Sequence, residues 1–300
     1  FRPEQAVEPL LKWANYPKPL AVYVAPDAPE ALNLLHQNNI ACFRTPESCA
    51  ESVKTFLNTK NPVKPIILKN DLSDISKKLE KNIFKNLSED EALEIFKDIG
   101  IEIVDYKLSS NEKQAIEYSS QIGFPLAMKV LSSEIMHKTE TGGVELNIKN
   151  LEEVKISFKK LSDVFQKLKI NSSEKKFIIQ KMEKGIAEII LGYRVDELVG
   201  PIVVIGSGGI LSEIYNDKSI RMAPVDITEA KKMIKEVKSL VTITGYRGLP
   251  EVDINIIATA IVNISKFALV KEIKEAEINP VIVKKNNEGI VAVDGLITLN

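Results

Sequence analysis

Short apolar runs alternate along this chain with stretches in which apolar residues recur every three or four positions. The first pattern predicts buried strands and the second predicts helices with one apolar face. Residues 19–26, PLAVYVAP, form a compact apolar run closed by proline and predict a strand. Helical spacing follows over 27–39 through Ala31, Leu34 and Leu35. IACFRTP then predicts a second strand and PESCAESVKTFLN a second helix. This β-α-β-α piece ends near residue 60, buries little core alone and requires a partner.

Polar residues and proline dominate 60–88, with NPVKP, KNDLSD and a Lys-rich stretch, so a linker is expected there. A new unit opens at SEDEALEIFKDIG, where Ser88 and Glu91 have capping-box spacing and Gly100 closes the helix. IEIVDYKLSS predicts a strand, 111–122 a helix, PLAMKVL a strand, 151–169 a helix and KFIIQKM a strand. AEIILGYRVD and GPIVVIGSGGI predict further strands; ITEAKKMIKEVKSL and 253–270 predict helices. EAEINPVIVKKNNEGIVAVDGLI reads as two strands joined by an Asn-Asn-Glu-Gly turn. The alternation gives an α/β or α+β class with no internal repeat. The expected divisions are 1–62, a linker at 63–87, and 88–300.

Composition narrows the function classes. Forty basic and 41 acidic side chains leave a net charge of −1, which supplies no electrostatic argument for nucleic acid or an anionic membrane. No apolar run reaches the length of a membrane span and no signal peptide opens the chain, so the cytoplasm is expected. Cys42 and Cys49 are the only cysteines, too few for a disulfide framework or a cysteine-rich metal site. Because the chain starts at Phe1, it is expected to be a processed or excised piece.

Three segments carry candidate chemistry. In PLAMKVLSSEIMHKTETGGVELNI, Lys129 sits in an apolar strand from which its ammonium could enter a cleft. Gly142 and Gly143 lie between two strands, where backbone N–H groups can approach an anion without Cβ interference. His137, Lys138 and Thr139 add donors to that loop, and the combination suits a triphosphate. The plainer alternative is a long hairpin with an exposed strand lysine. In FIIQKMEKGIAEIILGYRVD, a strand becomes a linker at Gln180, Lys181 and Met182, whose backbone could meet an adenine ring while Met182 packs on it. Glu188 is placed to accept ribose hydroxyls. In EAEINPVIVKKNNEGIVAVD, Asn279 and Asp294 fall near the open ends of two paired strands, and Glu277 shares the face of Asn279. Such oxygen ligands suit Mg²⁺, although Asn-Pro is also ordinary turn chemistry. Gly206, Gly208 and Gly209 imitate a dinucleotide fingerprint, but Leu211 stands where glycine or alanine is needed and no βαβ unit opens there.

Taken in order, GFPLAMKVLSSEIMHKTETGGVELNI, QKMEKGIAEIILGYRVDELVGPIVVIGSGGILSEIYNDKSIRMAPV, TGYRGLPEVD and EINPVIV…VAVDG resemble the ATP-grasp domain of the ADP-forming acyl-CoA synthetases. A more distant resemblance is to the β subunit of succinyl-CoA synthetase. It implies an ATP-grasp fold of two subdomains with nucleotide between them over 88–300. The first sixty residues resemble the tail of the flavodoxin-like CoA-ligase domain that precedes ATP-grasp in fused members.

By the same resemblance Lys129 contacts phosphate and Gly142 and Gly143 belong to the phosphate loop. Lys138 adjoins that loop, Gln180 to Met182 match the adenine hinge, and Glu188 is the ribose-side acid. Asn279 and Asp294 match the Mg²⁺ ligands, with Glu277 a weaker third. His137 matches a histidine proposed to relay phosphate near the nucleotide, the alternative being that it only donates a hydrogen bond to a phosphate oxygen. Glu213, Asp217 and Arg221 fall in a matching stretch without individual roles.

The chain departs from the family at Arg194-Val195-Asp196-Glu197, where Arg-Arg-Asp-Pro is common. No complete CoA-binding domain or separate phosphohistidine loop is legible, and His36 lies in an ordinary helix pattern. The expected activity is acyl-CoA + ADP + phosphate ⇌ carboxylate + CoA + ATP, completed by a CoA-binding and phosphohistidine-bearing portion of an oligomeric synthetase. Three rivals are a carboxylate–amine ligase, a fused protein acetyltransferase and a non-catalytic nucleotide sensor or assembly module. The His137 segment argues against the first, the stop at Asn300 against the second, and intact Lys129, Asn279 and Asp294 against the third.

Overall fold

The computed structural model describes residues 2–15, 17–59, 72–80, 85–131, 141–167, 176–209, 217–243, 252–285 and 288–300. The chain divides into two compact units, Phe1–Pro65 and Ile66–Asn300.

In the first unit α1 (Pro3–Val7) runs into a 3₁₀ turn (Glu8–Trp13), followed by β1 (Ala21–Tyr23), α2 (Pro29–Gln37), β2 (Ala41–Phe43) and α3 (Pro46–Asn58). The β-α-β-α order matches the sequence pattern; the opening helix was not anticipated. β1 and β2 pair in parallel, Val22 opposite Cys42. Val7, Ala28, Ala31, Leu35 and Ile40 form a small core, as a piece of this size allows. Both cysteines are free thiols.

The second unit begins, among the described residues, with α4 (Ser73–Leu79) inside the stretch expected to be linker. Ile75 and Leu79 are one helical turn apart and both are buried in the main core. Asp74, Lys77 and Lys78 occupy the other faces, which is why composition alone reads as linker. α5 (Glu89–Asp98) has the expected capping box, with Ser88 N–H donating to Glu91 at 2.9 Å. It ends before Gly100, whose φ of +84° favours glycine.

The predicted strand IEIVDYKLSS is divided between two sheets. Val104 N–H donates to Ala292 O at 2.9 Å, and Lys181 N–H donates to Asp105 O at 3.1 Å. Only Tyr106–Ser109 forms a regular strand, β3. Then come α6 (Glu112–Ile122), β4 (Leu126–Leu131), β5 (Val144–Ile148), α7 (Leu151–Lys167) and β6 (Lys176–Lys181). These strands make a four-stranded antiparallel sheet in the order β3-β6-β4-β5. Its core joins Met128, Val130, Phe177 and Ile179 to Val154, Leu161 and Phe165 of α7.

The second sheet uses β7 (Ala187–Asp196), β8 (Gly200–Ser207), β9 (Lys218–Met222), β10 (Ile273–Val283), β11 (Ile290–Ala292) and β12 (Gly295–Leu299). The order is β11-β10-β7-β8-β9, and β12 also pairs with β10. Between β9 and β10 lie α8 (Ile227–Glu236), a 3₁₀ turn (Lys238–Ile243), α9 (Ile254–Ser265) and a short 3₁₀ turn. Met233, Ile234, Ile257 and Ile261 pack with Leu191, Tyr193, Val203 and Ile278 in the largest core.

The last segment differs from a simple hairpin. β10 starts at Ile273, well before Asn279, pairs first with β12 and then with β11, and shifts register between Ile278 and Val281. Pro280 is tolerated because it lies at that irregularity, where no ladder N–H is required. The Asn-Asn part of the expected turn, 286–287, lies outside the described residues.

Candidate functional site

Of the residues singled out from the sequence, Lys129, Gln180, Asn279 and Asp294 come together where the two sheets of the second unit meet. Lys129 lies on β4, all six of whose residues are buried. Its ammonium does not stand in an open cleft. Nζ is 2.7 Å from Glu89 Oε1 and 2.9 Å from Asp294 Oδ2. Burial alone would pull the ammonium down, but Glu89 and Asp294 outweigh it and hold Lys129 above the usual lysine value.

Glu89, which the sequence reading missed, is the first residue of α5, and its side chain is fully enclosed. The helix N-terminus favours a carboxylate at this end. The available signal was its place one turn before Leu93 and two before Phe96, on the apolar face of α5 rather than the solvated one.

Gln180, on β6, belongs to the same cluster. Its Nε2 donates to Glu89 Oε1 and to Val293 O, both at 3.1 Å. The other amide atom, Oε1, is buried without a partner. The hinge expectation is altered here: the Gln180 side chain points inward, and the N–H groups of Lys181 and Met182 are engaged by Asp105 O and Pro125 O at 3.1 and 3.0 Å. An internal strand spends its backbone groups on its neighbours, so a base would have to meet the carbonyls or the segment after Met182.

Asn279 and Asp294 face one another where β10 changes partner, Asn279 N–H donating to Asp294 O at 3.2 Å. Asn279 Nδ2 donates to Glu277 Oε1 at 3.2 Å, which turns the amide oxygen away from Glu277. Gly295 follows Asp294 because a Cβ there would stand 2.6 Å from the Phe96 ring. Among the described residues no three His, Cys, Asp or Glu side chains converge as a metal cage. The oxygen set is two carboxylates and one amide, and Asp294, at 35% exposure, is its open member on the Lys129 side.

Gly142 adopts a left-handed φ of +71°, and Gly143 O accepts from Val130 N–H at 2.9 Å, so the loop end is fixed beside Lys129. His137, Lys138 and Thr139 lie outside the described residues, as does Glu213.

Glu188 lies on β7 opposite Ile282 and is exposed. Its carbonyl accepts from Gly208 N–H at 2.7 Å, so close that a Cβ on Gly208 would be 2.8 Å from the Glu188 backbone. β8 is antiparallel to both neighbours, which agrees with rejecting the dinucleotide fingerprint.

The side chains of Asp217 and Arg221 tie β9 to the helical segment that follows it. Asp217 accepts the N–H groups of Lys238 and Ser239 at 3.0 and 2.7 Å, capping the 3₁₀ turn. Arg221 ties β9 to α8 through Glu229 at 2.7 Å and Glu236 at 2.5 Å. At the departure from the family pattern, Asp196 holds the β7–β8 turn by accepting Leu198 and Val199 N–H at 3.0 and 3.1 Å. No described helix is long and apolar enough to cross a membrane.

A family model described as an ATP-grasp domain matches residues 78–299. The chain is 38% identical over 214 residues to acetate–CoA ligase [ADP-forming] I subunit beta of Pyrococcus furiosus, covering 71% of this chain and 91% of that one. It is 31% identical over 292 residues to acetate–CoA ligase [ADP-forming] I of Archaeoglobus fulgidus, covering 87% of this chain but only 42% of that protein's length. The dinucleotide-forming acetyl-coenzyme A synthetase 1 of Ca. Korarchaeum cryptofilum, solved with coenzyme A, Ca-AMPCP and HgCl⁺, superposes with a TM-score of 0.69 at 33% identity, covering 77% of this chain and all of that one. A second structure of that protein holds coenzyme A and Mg-AMPPCP, with its phosphohistidine segment pointing towards the nucleotide site; it has a TM-score of 0.63 at 32% identity and covers 76% of this chain and 99% of that one. With the cluster of Lys129, Glu89, Gln180 and Asp294 set on two sheets of this arrangement, the chain belongs to the ATP-grasp family, as the β-subunit part of an ADP-forming acyl-CoA synthetase.

Proposed function

We propose that the chain supplies the nucleotide-binding, phosphoryl-transferring half of the reaction acyl-CoA + ADP + phosphate ⇌ carboxylate + CoA + ATP. The observation that carries this is Lys129, a buried ammonium held beside the Asn279–Asp294 pair. In this role Lys129 meets the phosphates and the Gly142–Gly143 loop end offers backbone to them. Gln180 Oε1, buried without a partner, is an acceptor for an incoming donor group. Lys181, Met182 and Glu188 border the nucleoside, with Glu188 taking ribose hydroxyls.

The donors of Asn279, Asp294 and Glu277 fit Mg²⁺, which takes one or two carboxylates and completes its shell with phosphate oxygens and water. Bound there, the ion would neutralise phosphate charge during transfer. Asp294, the more exposed of the two carboxylates beside Lys129, is the one open to such a cation.

Residues 1–62 are assigned to the end of a flavodoxin-like CoA-ligase domain and 88–300 to ATP-grasp. The parallel β1–β2 pair and the longer match to the Archaeoglobus protein support this division. The partner is a CoA-binding portion or subunit bearing a phosphohistidine, within a cytoplasmic oligomer. His137 relays the phosphoryl group: neutral imidazole attacks the terminal phosphorus, the bond to the ADP oxygen breaks, and the partner histidine later takes the group from His137.

The test is reconstitution. The chain alone binds ADP with Mg²⁺ but makes no acyl-CoA from acid, CoA and ATP; adding the CoA-binding portion restores turnover. Acyl-CoA formation by the isolated chain at an enzyme-like rate, on the order of 1 s⁻¹ or more, would overturn this division of labour.

A further inference from the structure

The phosphate-contacting lysine has two partners of unequal freedom. Asp294 is 35% exposed on its side chain, whereas the Glu89 side chain is wholly enclosed. Glu89 Oε1 accepts both Lys129 Nζ at 2.7 Å and Gln180 Nε2 at 3.1 Å. Gln180 Nε2 in turn donates to Val293 O, the residue beside Asp294. One carboxylate on α5 therefore ties together β4, β6 and the start of the Asp294 turn.

The capping box of Ser88 and Glu91 fixes the backbone on either side of Glu89. An ammonium has three N–H donors, and Glu89 and Asp294 take two of them in this structure. An enclosed carboxylate has no water to exchange its lysine for, while a part-exposed one can turn to solvent or to a cation.

We propose that Glu89 is the positioning residue of the phosphate site. It holds Lys129 in place when Asp294 turns from the lysine to the metal, so that a phosphate oxygen takes the place Asp294 gives up. Glu89 itself touches neither nucleotide nor metal. The inference rests on Lys129 being the phosphate contact.

The experiment is a double-mutant cycle on the full chain, read by calorimetric titration of ADP with Mg²⁺, with thermal unfolding of each variant alongside. Glu89→Gln keeps the shape of the side chain and removes its charge; Lys129→Met removes the ammonium. Glu89→Gln is expected to weaken ADP binding by about tenfold, the scale of one charge-assisted contact. The double variant E89Q/K129M should bind no more weakly than Lys129→Met alone, because Glu89 acts only through the lysine.

If Glu89→Gln does not fold, Glu89→Asp retains the charge one methylene short. It should lose several-fold in affinity, roughly half a decade, with the loss again absent beside Lys129→Met. Equal loss in both backgrounds would make Glu89 a structural residue and overturn the proposal. Wild-type affinity in Glu89→Gln with weak binding in Lys129→Met would overturn it while leaving the phosphate role intact. Wild-type affinity in Lys129→Met would remove the phosphate role itself and the proposal with it.

Discussion

Lys129 and Asp294 are 165 positions apart in the chain, yet Nζ and Oδ2 meet at 2.9 Å. One residue comes from the four-stranded sheet and the other from the turn between β11 and β12 of the larger sheet. The contact brings the expected phosphate ligand to the expected metal ligand.

Replacing Lys129 by alanine should weaken both ADP and ATP. A charge-assisted phosphate contact is worth roughly 1.5–3 kcal/mol, about 10- to 150-fold in affinity. Calorimetry with each nucleotide measures this directly, and unchanged affinity for both would take Lys129 out of the phosphate site. Because the substitution removes the ammonium that faces the buried Glu89 carboxylate at 2.7 Å, a drop in Tm is expected as well.

Asn279→Ala and Asp294→Ala should damage Mg²⁺-dependent nucleotide binding more than binding measured in EDTA, since a hard cation loses oxygen ligands. Parallel titrations with and without the metal make the comparison. Equal losses in the two conditions would assign both residues to holding the β10 irregularity.

His137→Asn keeps a hydrogen-bond donor but cannot carry a phosphoryl group. Nucleotide affinity should remain within a few-fold, while phosphate exchange between ATP and the partner histidine collapses. Exchange at close to the wild-type rate would leave His137 as a binding contact at most.

Asp217, whose carboxylate is engaged by the N–H groups of Lys238 and Ser239, offers a control. Partial burial works against its charge, but the N–H groups of Ser239 and Lys238 prevail and hold the carboxyl below its usual value of 3.8. A folded-state value below the unfolded one stabilises the fold above pH 3.8 and loses that stability as pH falls through the depressed value. Asp217→Ala should cost about 1 kcal/mol near neutrality, as for loss of a helix cap, without changing ADP affinity. Denaturant melts at neutral and acidic pH check both parts: the wild type and variant should converge as the acid is protonated, and a constant gap would disprove the capping role.

Much was legible in the chain because local physics writes it there. The capping box at Ser88 and Glu91, the terminating Gly100 and the apolar run of β4 all follow from neighbours within a few positions. The order of the motifs from Lys129 to Asp294 was likewise enough to recognise the ATP-grasp family, as the match over residues 78–299 bears out. What the sequence could not decide was which distant groups would meet. Polarity concealed α4 because its two buried residues are outnumbered by charged neighbours on the other faces. IEIVDYKLSS looked like one strand, and only the presence of two sheets split it between Ala292 and β6. Gln180 looked like part of a hinge, yet its side chain is turned inward by a carboxylate 91 positions earlier. Glu89 itself resembles any acid in a helix's first turn until the fold encloses it against Lys129, because a buried charge takes its meaning from the partner that tertiary packing supplies.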